Sequence, residues 1–438
     1  MTFKQLQLNE DMLKVVDALY FKEPTNIQEQ AIPKILKGEN VIGHSQTGSG
    51  KTHAYLLPTL NRIDPSKDTV QLVITAPTRE LAIQIMEEIK SISNILDNEE
   101  KWNAKLLVGG MDRPRMLKQL EQSSPQIVVG TPGRILDMIN AGALSIYHAT
   151  SFIIDEADLM LDLHFLDAID QLLVKCDDNI QILVFSATFS KHLQHFIHKY
   201  LRKPQYIHVE SGISPEHLTH RLIEKKHRED IQLVNQLTKV IQPYVAILFV
   251  NSKEKADALA SEMKALGLKV GALHGGLSSR ERTRVVKNIN QLAYEYIVAT
   301  DLASRGIDIK GASHVVNIEM PKELEYYIHR VGRTARAGAS GLAINFYTES
   351  DIPLIELLEK NHIVFEYYDL KQDDWKPTKR YDYREKRQST VTDVDREAWK
   401  QVRKTKKIKP GYKKKRKREQ EQIKKRLLQT KNRKKRRR

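Results

Sequence analysis

The sequence predicts an α/β protein in which two parallel-sheet domains follow one another and a basic tail completes the chain. Three observations support this fold class. Short apolar runs alternate with amphipathic helical segments through the first 370 residues, the alternation pauses once around residues 202–218, and Lys/Arg-rich sequence replaces it after about residue 370. Alternation of this kind is typical of βα units around a parallel sheet.

The first series contains four nearly continuous apolar or β-branched runs, each ending in small or polar residues. They are QLVITAP (71–77), QIVVGTP (126–132), SFIIDEAD (151–158) and QILVFSAT (181–188). Such runs are typical of parallel strands that are buried on both faces. Between two of them, RELAIQIMEEIKSIS has apolar residues at helical spacing. Because ligands bind outside the carboxyl ends of the strands in an open parallel sheet, we expect the functional residues there.

The domain boundaries follow from where this pattern stops. Two prolines and a glycine interrupt it between residues 204 and 215, which predicts a first domain over 1–205, a linker over 206–217 and a second domain over 218–370. The strand-like runs of the second domain are YVAILFVNS (244–252), KVGALHGG (269–276), YEYIVATD (294–301), HVVNIEMP (314–321) and LAINFYT (342–348). Residues 371–438 have too little apolar sequence to offset the entropy of ordering, so we expect a tail that is disordered when free.

Charge is concentrated in this tail. The 438 residues have a net charge of +16, from 71 Lys and Arg against 55 Asp and Glu, and residues 371–438 alone hold 30 basic and 9 acidic residues. A slightly acidic body with a cationic appendage indicates a polyanionic partner, either nucleic acid or an anionic membrane.

Three features indicate a cytoplasmic protein. No run of 18 apolar residues is present to cross a bilayer. The N-terminal MTFKQLQLNEDML lacks the apolar core of a secretory signal. The single cysteine, Cys176, excludes an internal disulfide framework and a Cys-rich zinc site, and we expect an inert thiol in a reducing compartment.

A phosphate-binding loop is indicated by SQTGSGKT (45–52), which follows the strand-like VIG. Its glycines let backbone N–H groups face phosphate oxygens, and the N-terminus of the following helix adds its dipole. We expect Lys51 to reach the β/γ-phosphates of a bound nucleotide and Thr52 to ligate Mg²⁺. The other loop residues expected at the nucleotide are Ser45, Gln46, Thr47, Gly48, Ser49 and Gly50. Ser45 stands where glycine is usual, so an unrelated Gly/Ser turn is the alternative for the loop taken alone.

A pair of carboxylates strengthens the nucleotide hypothesis. SFIIDEAD places Asp155 and Glu156 at the end of a strand-like run. A phosphate loop needs a carboxylate to position Mg²⁺, and hydrolysis needs a base to activate water. We expect Asp155 to hold the metal, partly through water, and Glu156 to act on the attacking water. The alternative is an acidic strand-to-helix turn in which Asp155 is only a helix cap.

Further motifs occur in a fixed order along residues 1 to about 370. They are FKEPTNIQ (21–28), PTRELA (77–82), Gly109-Gly110, TPGR (131–134), SAT (186–188), LFVNS (248–252), ATDLASRGIDI (299–309) and HRVGRTARAG (329–338). With the loop and the Asp-Glu-Ala-Asp sequence, the chain resembles the DEAD-box ATP-dependent RNA helicases of superfamily 2, in particular the bacterial cold-shock type. The resemblance implies two RecA-like domains that close over ATP and RNA together.

The resemblance also implies the rest of the ATP site. FKEPTNIQ is similar to a motif that reads adenine, in which Gln28 pairs with the edge of the base and Phe21 stacks on its ring. Arg333 and Arg336 match the arginines that complete the site on closure, and Asp308 matches a ribose contact. The residues implied to couple the two domains are Asp158, Ser186, Thr188 and His329.

The implied RNA contacts lie in both domains. They are Arg79, Gly110, Thr131 and Arg134 in the first domain, and Thr300 and Arg305 in the second. Contacts of this type grip phosphates and 2′-hydroxyls, which positions a strand without reading its bases. The sequence departs from the family's pattern at Ser279, where glutamine is typical, although Arg282 keeps the family's arginine.

These patterns predict an ATP-dependent RNA helicase that unwinds short duplexes or remodels RNA–protein complexes, without sequence specificity from its core. ATP and Mg²⁺ are the expected cofactors and RNA is the expected partner, with ribosomal particles or the RNA decay machinery as further candidates. Two alternatives stay open: a DNA translocase built on the same motor, and a non-enzymatic RNA annealer or ribosome-associated scaffold. Aromatic residues in the tail favour RNA over lipid, because rings stack on unpaired bases and no amphipathic apolar face accompanies the basic clusters. These aromatics are Trp375, Tyr381, Tyr383, Trp399 and Tyr412.

Overall fold

The computed structural model describes residues 1–45, 48–96, 101–189, 191–201, 203–209, 217–301, 309, 312–334, 340–382, 398, 401–402 and 418–426. The chain forms two compact units, Met1–Pro377 and Thr378–Arg438. The first unit contains two sheets. We call each sheet with its helices the N-terminal half (residues 1–209) and the C-terminal half (residues 217–377). In the second unit, residues 418–426 are helical. None of the described helices is long and apolar enough to cross a bilayer.

The N-terminal half has a sheet of seven parallel strands among its described residues. They are β1 (Val41–His44), β2 (Leu72–Thr75), β3 (Ala104–Leu107), β4 (Ile127–Gly130), β5 (Ser151–Ile154), β6 (Gln181–Ser186) and β7 (Gln205–His208). Their order across the sheet is β3-β4-β2-β5-β6-β1-β7. Since neighbouring strands run parallel, their carboxyl ends share one edge, and the predicted motifs follow β1, β2, β4, β5 and β6 at that edge.

Helices cover both faces of this sheet. They are α1 (Glu10–Ala18), α2 (Asn26–Leu36), α3 (Lys51–Leu60), α4 (Arg79–Ile95), α5 (Arg113–Gln122), α6 (Pro132–Asn140), α7 (Ala157–Asp162), α8 (Leu166–Leu173) and α9 (Lys191–Tyr200). Alternate residues of the strands point to opposite faces. Ile74 and Ile153 therefore join the core beneath α1–α4, whereas Val73 and Phe152 join the core beneath α5–α9. Burial on both faces explains why these strands are continuously apolar.

The C-terminal half repeats this plan and adds a hairpin. Its strands are β8 (Leu218–Glu224), β9 (Val245–Phe249), β10 (Val270–Leu273), β11 (Tyr296–Ala299), β12 (Ala312–Asn317), β13 (Gly341–Tyr347), β14 (Phe365–Lys371) and β15 (Asp374–Pro377). Their order is β10-β11-β9-β12-β13-β8-β14-β15, with only the β14–β15 pairing antiparallel among the described strands. The helices are α10 (Asp230–Thr238), α11 (Lys253–Ala265), α12 (Ser279–Asn290), α13 (Leu324–Val331) and α14 (Ile352–Lys360). The predicted class of two parallel α/β sheets in tandem is confirmed.

Two details differ from the sequence prediction. Residues 206–208, predicted as the start of the linker, form β7 and pair with β1. Residues 371–377, predicted as the start of the tail, complete the β14–β15 hairpin. Trp375 in that hairpin contacts Tyr368 edge-on at 5.6 Å between ring centroids, and the Arg221 guanidinium lies 4.5 Å from its centroid. Trp375 therefore packs on the C-terminal sheet and is not a tail aromatic.

Cys176 should be almost unreactive in the folded protein. Its side chain is buried, its Sγ lies 3.5 Å from the Leu172 carbonyl, and burial raises the thiol pKa to about 12. Because the thiolate is the reactive form, we expect a disulfide reagent at pH 8 to modify the native protein about 1000-fold more slowly than the denatured chain. A timed thiol titration with and without denaturant measures this ratio at a single position, since the chain has one cysteine. Equal rates in the two states would contradict the burial.

Candidate nucleotide and RNA site

The phosphate loop joins β1 to α3. Gly50 precedes α3 with a φ of +92°, and a Cβ at this position would lie 2.7 Å from Gln28 Nε2, so only glycine fits. Lys51, the first residue of α3, is buried and donates to the Ser45 carbonyl at 2.8 Å. The hydroxyls of Ser45 and Ser49 lie 2.7 Å apart. The described part of the loop thus holds Lys51 next to the carboxyl end of β1, where a phosphate chain would bind.

The adenine-reading residues implied by the resemblance lie against this loop. Gln28 is buried, its Oε1 accepts from the Thr25 backbone N–H at 3.0 Å, and its Nε2 donates to the Gly50 carbonyl at 3.2 Å. An amide oxygen accepts two hydrogen bonds and an amide nitrogen donates two, so these contacts use half of its capacity. Phe21 is half-buried and packs edge-on against His53 at 5.0 Å between centroids. The segment that contains Gln28 and Phe21 is therefore in direct contact with Gly50 of the loop and with α3.

Asp155 and Glu156 directly follow β5. Asp155 is 3% exposed, and the Tyr55 hydroxyl donates to its Oδ2 at 2.8 Å. Burial raises the pKa of Asp155 to about 6, with a lowering contribution from Lys51 and a raising one from Glu156. Glu156 has φ 48° and ψ 55°, a left-handed conformation that is costly for a residue with a Cβ. Backbone strain of this kind concentrates at functional sites.

The oxygen atoms at this edge suit a magnesium ion. Thr52 supplies a hydroxyl and Asp155 a carboxylate, and Mg²⁺ usually takes one or two protein oxygens together with substrate phosphates and waters. Among the described residues no group of three or more His, Cys, Asp or Glu side chains could hold a metal without such phosphates. Sequence reasoning missed Tyr55, because a tyrosine in an apolar helix cannot be distinguished from a core residue by its spacing.

The four implied coupling residues are brought together. Asp158 Oδ2 accepts from the Thr188 N–H at 3.1 Å and from the Thr188 hydroxyl at 3.0 Å, while the Asp158 N–H donates to Ser186 Oγ at 3.2 Å. His329 Nε2, on α13 of the C-terminal half, lies 3.2 Å from the same Asp158 oxygen. This cluster links the helix that follows Glu156 to the C-terminal half.

One implied catalytic arginine can be placed. Arg333 lies just after α13, is 4% exposed, and donates through Nε to the His329 carbonyl at 3.3 Å. Five other residues of the predicted site lie outside the described residues: Gln46, Thr47, Arg305, Asp308 and Arg336.

A cavity of about 630 Å³ lies between the two halves, beside the carboxyl ends of β2 and β4. Its lining includes three predicted RNA-binding residues, Arg79, Thr131 and Arg134, together with Gly275, Leu277 and Arg282 of the C-terminal half. Arg282 also forms an ion pair with Glu80, which joins the halves. Gly109 lies against the Arg79 guanidinium, and Gly110 has a φ of +84°. Glu80 and Asp137 also line this cleft, and Arg134 pairs with Asp137 at 3.0 Å, so a polyanion that bound the guanidinium groups would replace these carboxylates.

One predicted RNA contact of the C-terminal half, Thr300, borders a separate cavity of about 440 Å³. Thr300 lines it beside Asn251, Lys253 and Tyr326, and both cavities include Gly275 in their lining. Next to Thr300, Asp301 forms an ion pair with Arg330, the most deeply buried charged residue described here. Sequence reasoning missed Arg330, although HRVGRTARAG contains it.

Comparisons with known proteins agree with this geometry. The family model described as DEAD/DEAH box helicase matches residues 25–196, and the helicase conserved C-terminal domain matches residues 229–338. A protein of Bacillus subtilis (strain 168) named DEAD-box ATP-dependent RNA helicase CshB is 48% identical over 424 residues, covering 97% of this chain and 96% of its own. The protein of the same name in Listeria monocytogenes is 44% identical over 91% and 92% of the two chains.

A solved structure shows the same fold. S. cerevisiae Dbp5 bound to RNA and ADP BeF3 superimposes with a TM-score of 0.74 at 28% identity, covering 84% of this chain and 96% of that one. The ordered motifs, the two parallel sheets and the extent of these matches have one explanation: this chain belongs to the DEAD-box ATP-dependent RNA helicase family.

Proposed function

We propose that this protein hydrolyses ATP in response to RNA and uses the resulting opening and closing of its two halves to separate short duplexes or to remodel RNA–protein complexes. The observation that carries the proposal is the contact of His329 with Asp158, because it joins the helix after Glu156 to the helix before Arg333. Hydrolysis then depends on the approach of the halves. RNA bound in the cleft between them would favour that approach.

Both halves contribute residues to the proposed ATP site. Lys51 would neutralise the β/γ-phosphates, Thr52 and Asp155 would hold Mg²⁺, and Glu156 would orient and deprotonate the attacking water. Mg²⁺ supplies charge neutralisation at the phosphates. Arg333, with Arg336, would stabilise the charge that develops on the transferred phosphate, and Asp308 would contact the ribose. Gln28 and Phe21 would select adenine by its edge and its face.

The RNA site would grip the sugar–phosphate backbone. Arg79 and Arg134 line one side of the cleft and Arg282 lines the other, and phosphates would replace Asp137 on Arg134 and Glu80 on Arg282. Gly110, Thr131, Thr300 and Arg305 complete the proposed set. Arginine forks match phosphate geometry and read no base edges, so the core would bind RNA of any sequence. We also propose that the protein acts in the cytoplasm, where its single buried thiol, Cys176, would stay reduced.

Stimulation by nucleic acids of matched sequence tests this function. We expect single-stranded RNA of unrelated sequences to stimulate ATP turnover to similar levels, and the matching DNA to stimulate it by less than about a tenth as much, because DNA lacks the 2′-hydroxyl. Steady-state ATPase assays with paired RNA and DNA oligonucleotides measure the difference. Equal stimulation by both would favour a DNA translocase, and no turnover with either would favour a non-enzymatic RNA annealer.

The basic tail would anchor the enzyme on structured RNA while the core acts nearby. A chain that ends at Pro377, where β15 ends, should keep its basal ATPase activity but bind RNA more weakly. Its log affinity should also fall less steeply with log salt concentration, because each lost contact with a single-strand phosphate removes about 0.7 from that slope. RNA-binding titrations of both chains across a salt series measure the change. Superimposable lines would show that the tail is only solvated charge, and full-length binding to anionic vesicles at the same salt would favour lipid instead.

A further inference from the structure

Two helices from different halves face each other through two contacts in register. On α7, Asp158 and Asp162 are four residues apart, so they lie on one face of the helix. On α13, Tyr326 and His329 are three residues apart and also share a face. His329 Nε2 lies 3.2 Å from Asp158 Oδ2, and one turn along both helices the Tyr326 hydroxyl donates to Asp162 Oδ2 at 3.1 Å.

Two contacts between α7 and α13 restrict the relative orientation of the two helices more than a single contact would. A single contact between two helices fixes a distance but lets one helix pivot about that point. A second contact one turn away removes this freedom and fixes the direction of α13 relative to α7. That direction matters because Arg333 follows His329 by one turn, and arginine must be placed accurately to act on a transferred phosphate.

Tyr326 also links this contact to the cleft side of the C-terminal half. It lines the 440 Å³ cavity together with Thr300 and Asp301. The Tyr326 side chain therefore contacts both this cavity and α7. We propose that Tyr326 and Asp162 form a second latch between α7 and α13, in addition to the contact of His329 with Asp158, which makes Tyr326 a positioning residue for RNA-dependent closure. The inference rests on the proposed RNA-stimulated ATPase activity.

The test uses Tyr326→Phe, which removes one hydroxyl and keeps the ring. The matched control is Tyr367→Phe, because the Tyr367 hydroxyl donates at 3.0 Å to Glu359 within the same half. A hydrogen bond to a charged acceptor shifts an equilibrium by about tenfold or more. We expect Tyr326→Phe to raise the RNA concentration for half-maximal ATPase stimulation about tenfold, with ATP affinity in the absence of RNA unchanged. Tyr367→Phe should stay within about twofold of wild type.

Closure itself is measured by energy transfer between one dye on each half, with oligo(U) RNA and the ATP analogue adenylyl imidodiphosphate. Tyr326→Phe should lower the closed fraction, and the substitution should have no further effect in a chain that already carries Asp162→Ala. Thermal unfolding of each variant shows that it is folded. If wild type shows no RNA stimulation, the proposed function fails. If wild type is stimulated and Tyr326→Phe matches it in both measurements, or if Tyr326→Phe acts equally in the Asp162→Ala chain, the latch is wrong.

Discussion

Replacing Glu156 by glutamine should lower RNA-stimulated ATP turnover by about a thousandfold while ATP and RNA still bind. Glutamine has the size and shape of glutamate but cannot accept the proton of the attacking water, and general-base catalysis contributes about 10²–10⁴ in rate. The left-handed backbone at this position should persist, since it is imposed by the turn from β5 into α7. Single-turnover ATP hydrolysis with saturating RNA measures the chemical step, and equilibrium titrations with a fluorescent nucleotide measure binding.

Two further variants show whether the loss of ATP turnover is specific to the Glu156 carboxylate. Lys51→Ala should weaken nucleotide binding itself, because it removes the ammonium at the start of α3. Glu121→Gln makes the same chemical change on the exposed side of α5 and should leave turnover within twofold. If Glu156→Gln hydrolysed ATP within about tenfold of wild type, another group would have to be the base.

Arg330→Met should cost the C-terminal half about 3–5 kcal/mol in the free energy of unfolding. Arg330 is 1% exposed and donates five hydrogen bonds to four residues. Its Nε and Nη2 donate to Asp301 at 2.5 and 2.7 Å, its Nη2 also donates to Asn251 at 2.8 Å, and its Nη1 donates to Asn317 at 3.0 Å and to the Glu319 carbonyl at 2.7 Å. Removing one partner of a buried pair leaves the other charge without compensation. Arg330→Lys should recover only part of the loss, because lysine lacks the guanidinium fork.

Chemical denaturation followed by circular dichroism measures this loss as a shift of the unfolding midpoint. Lys269→Met is the control, since Lys269 pairs with Glu295 at 3.1 Å on an exposed surface, where an ion pair contributes little. Adding Asp301→Asn to Arg330→Met should restore part of the stability, because it removes the unpaired carboxylate. If the unfolding midpoint of Arg330→Met were as close to the wild-type midpoint as that of Lys269→Met, the buried network would not stabilise the protein as we predict.

Five of the seven strands of the N-terminal sheet, β1, β2 and β4–β6, were predicted because each is encoded locally, whereas the less buried strands β3 and β7 were not. A run such as Leu72–Thr75 is buried on both faces, so its own side chains identify it. The strand β8 was missed because three consecutive polar residues, 219–221, interrupt its apolar sequence. The β14–β15 hairpin was missed because a polar hairpin at a sheet edge resembles a tail. The packing of Trp375 could not be predicted from the sequence either, since its partner Arg221 is more than 150 residues away along the chain.

The fold class, the family and the order of the motifs could be obtained from the chain alone, because periodicity and short motifs depend on neighbouring residues. The partners of Asp155 and Asp162 could not. Tyr55 reaches Asp155 across 100 residues and Tyr326 reaches Asp162 across 164 residues. Both tyrosines have the spacing of ordinary helix residues, and hydroxyl–carboxylate pairing depends on how strand ends and helices from different parts of the chain pack together. Only the tertiary structure decides those contacts, because distance in space is set by packing and not by separation along the chain.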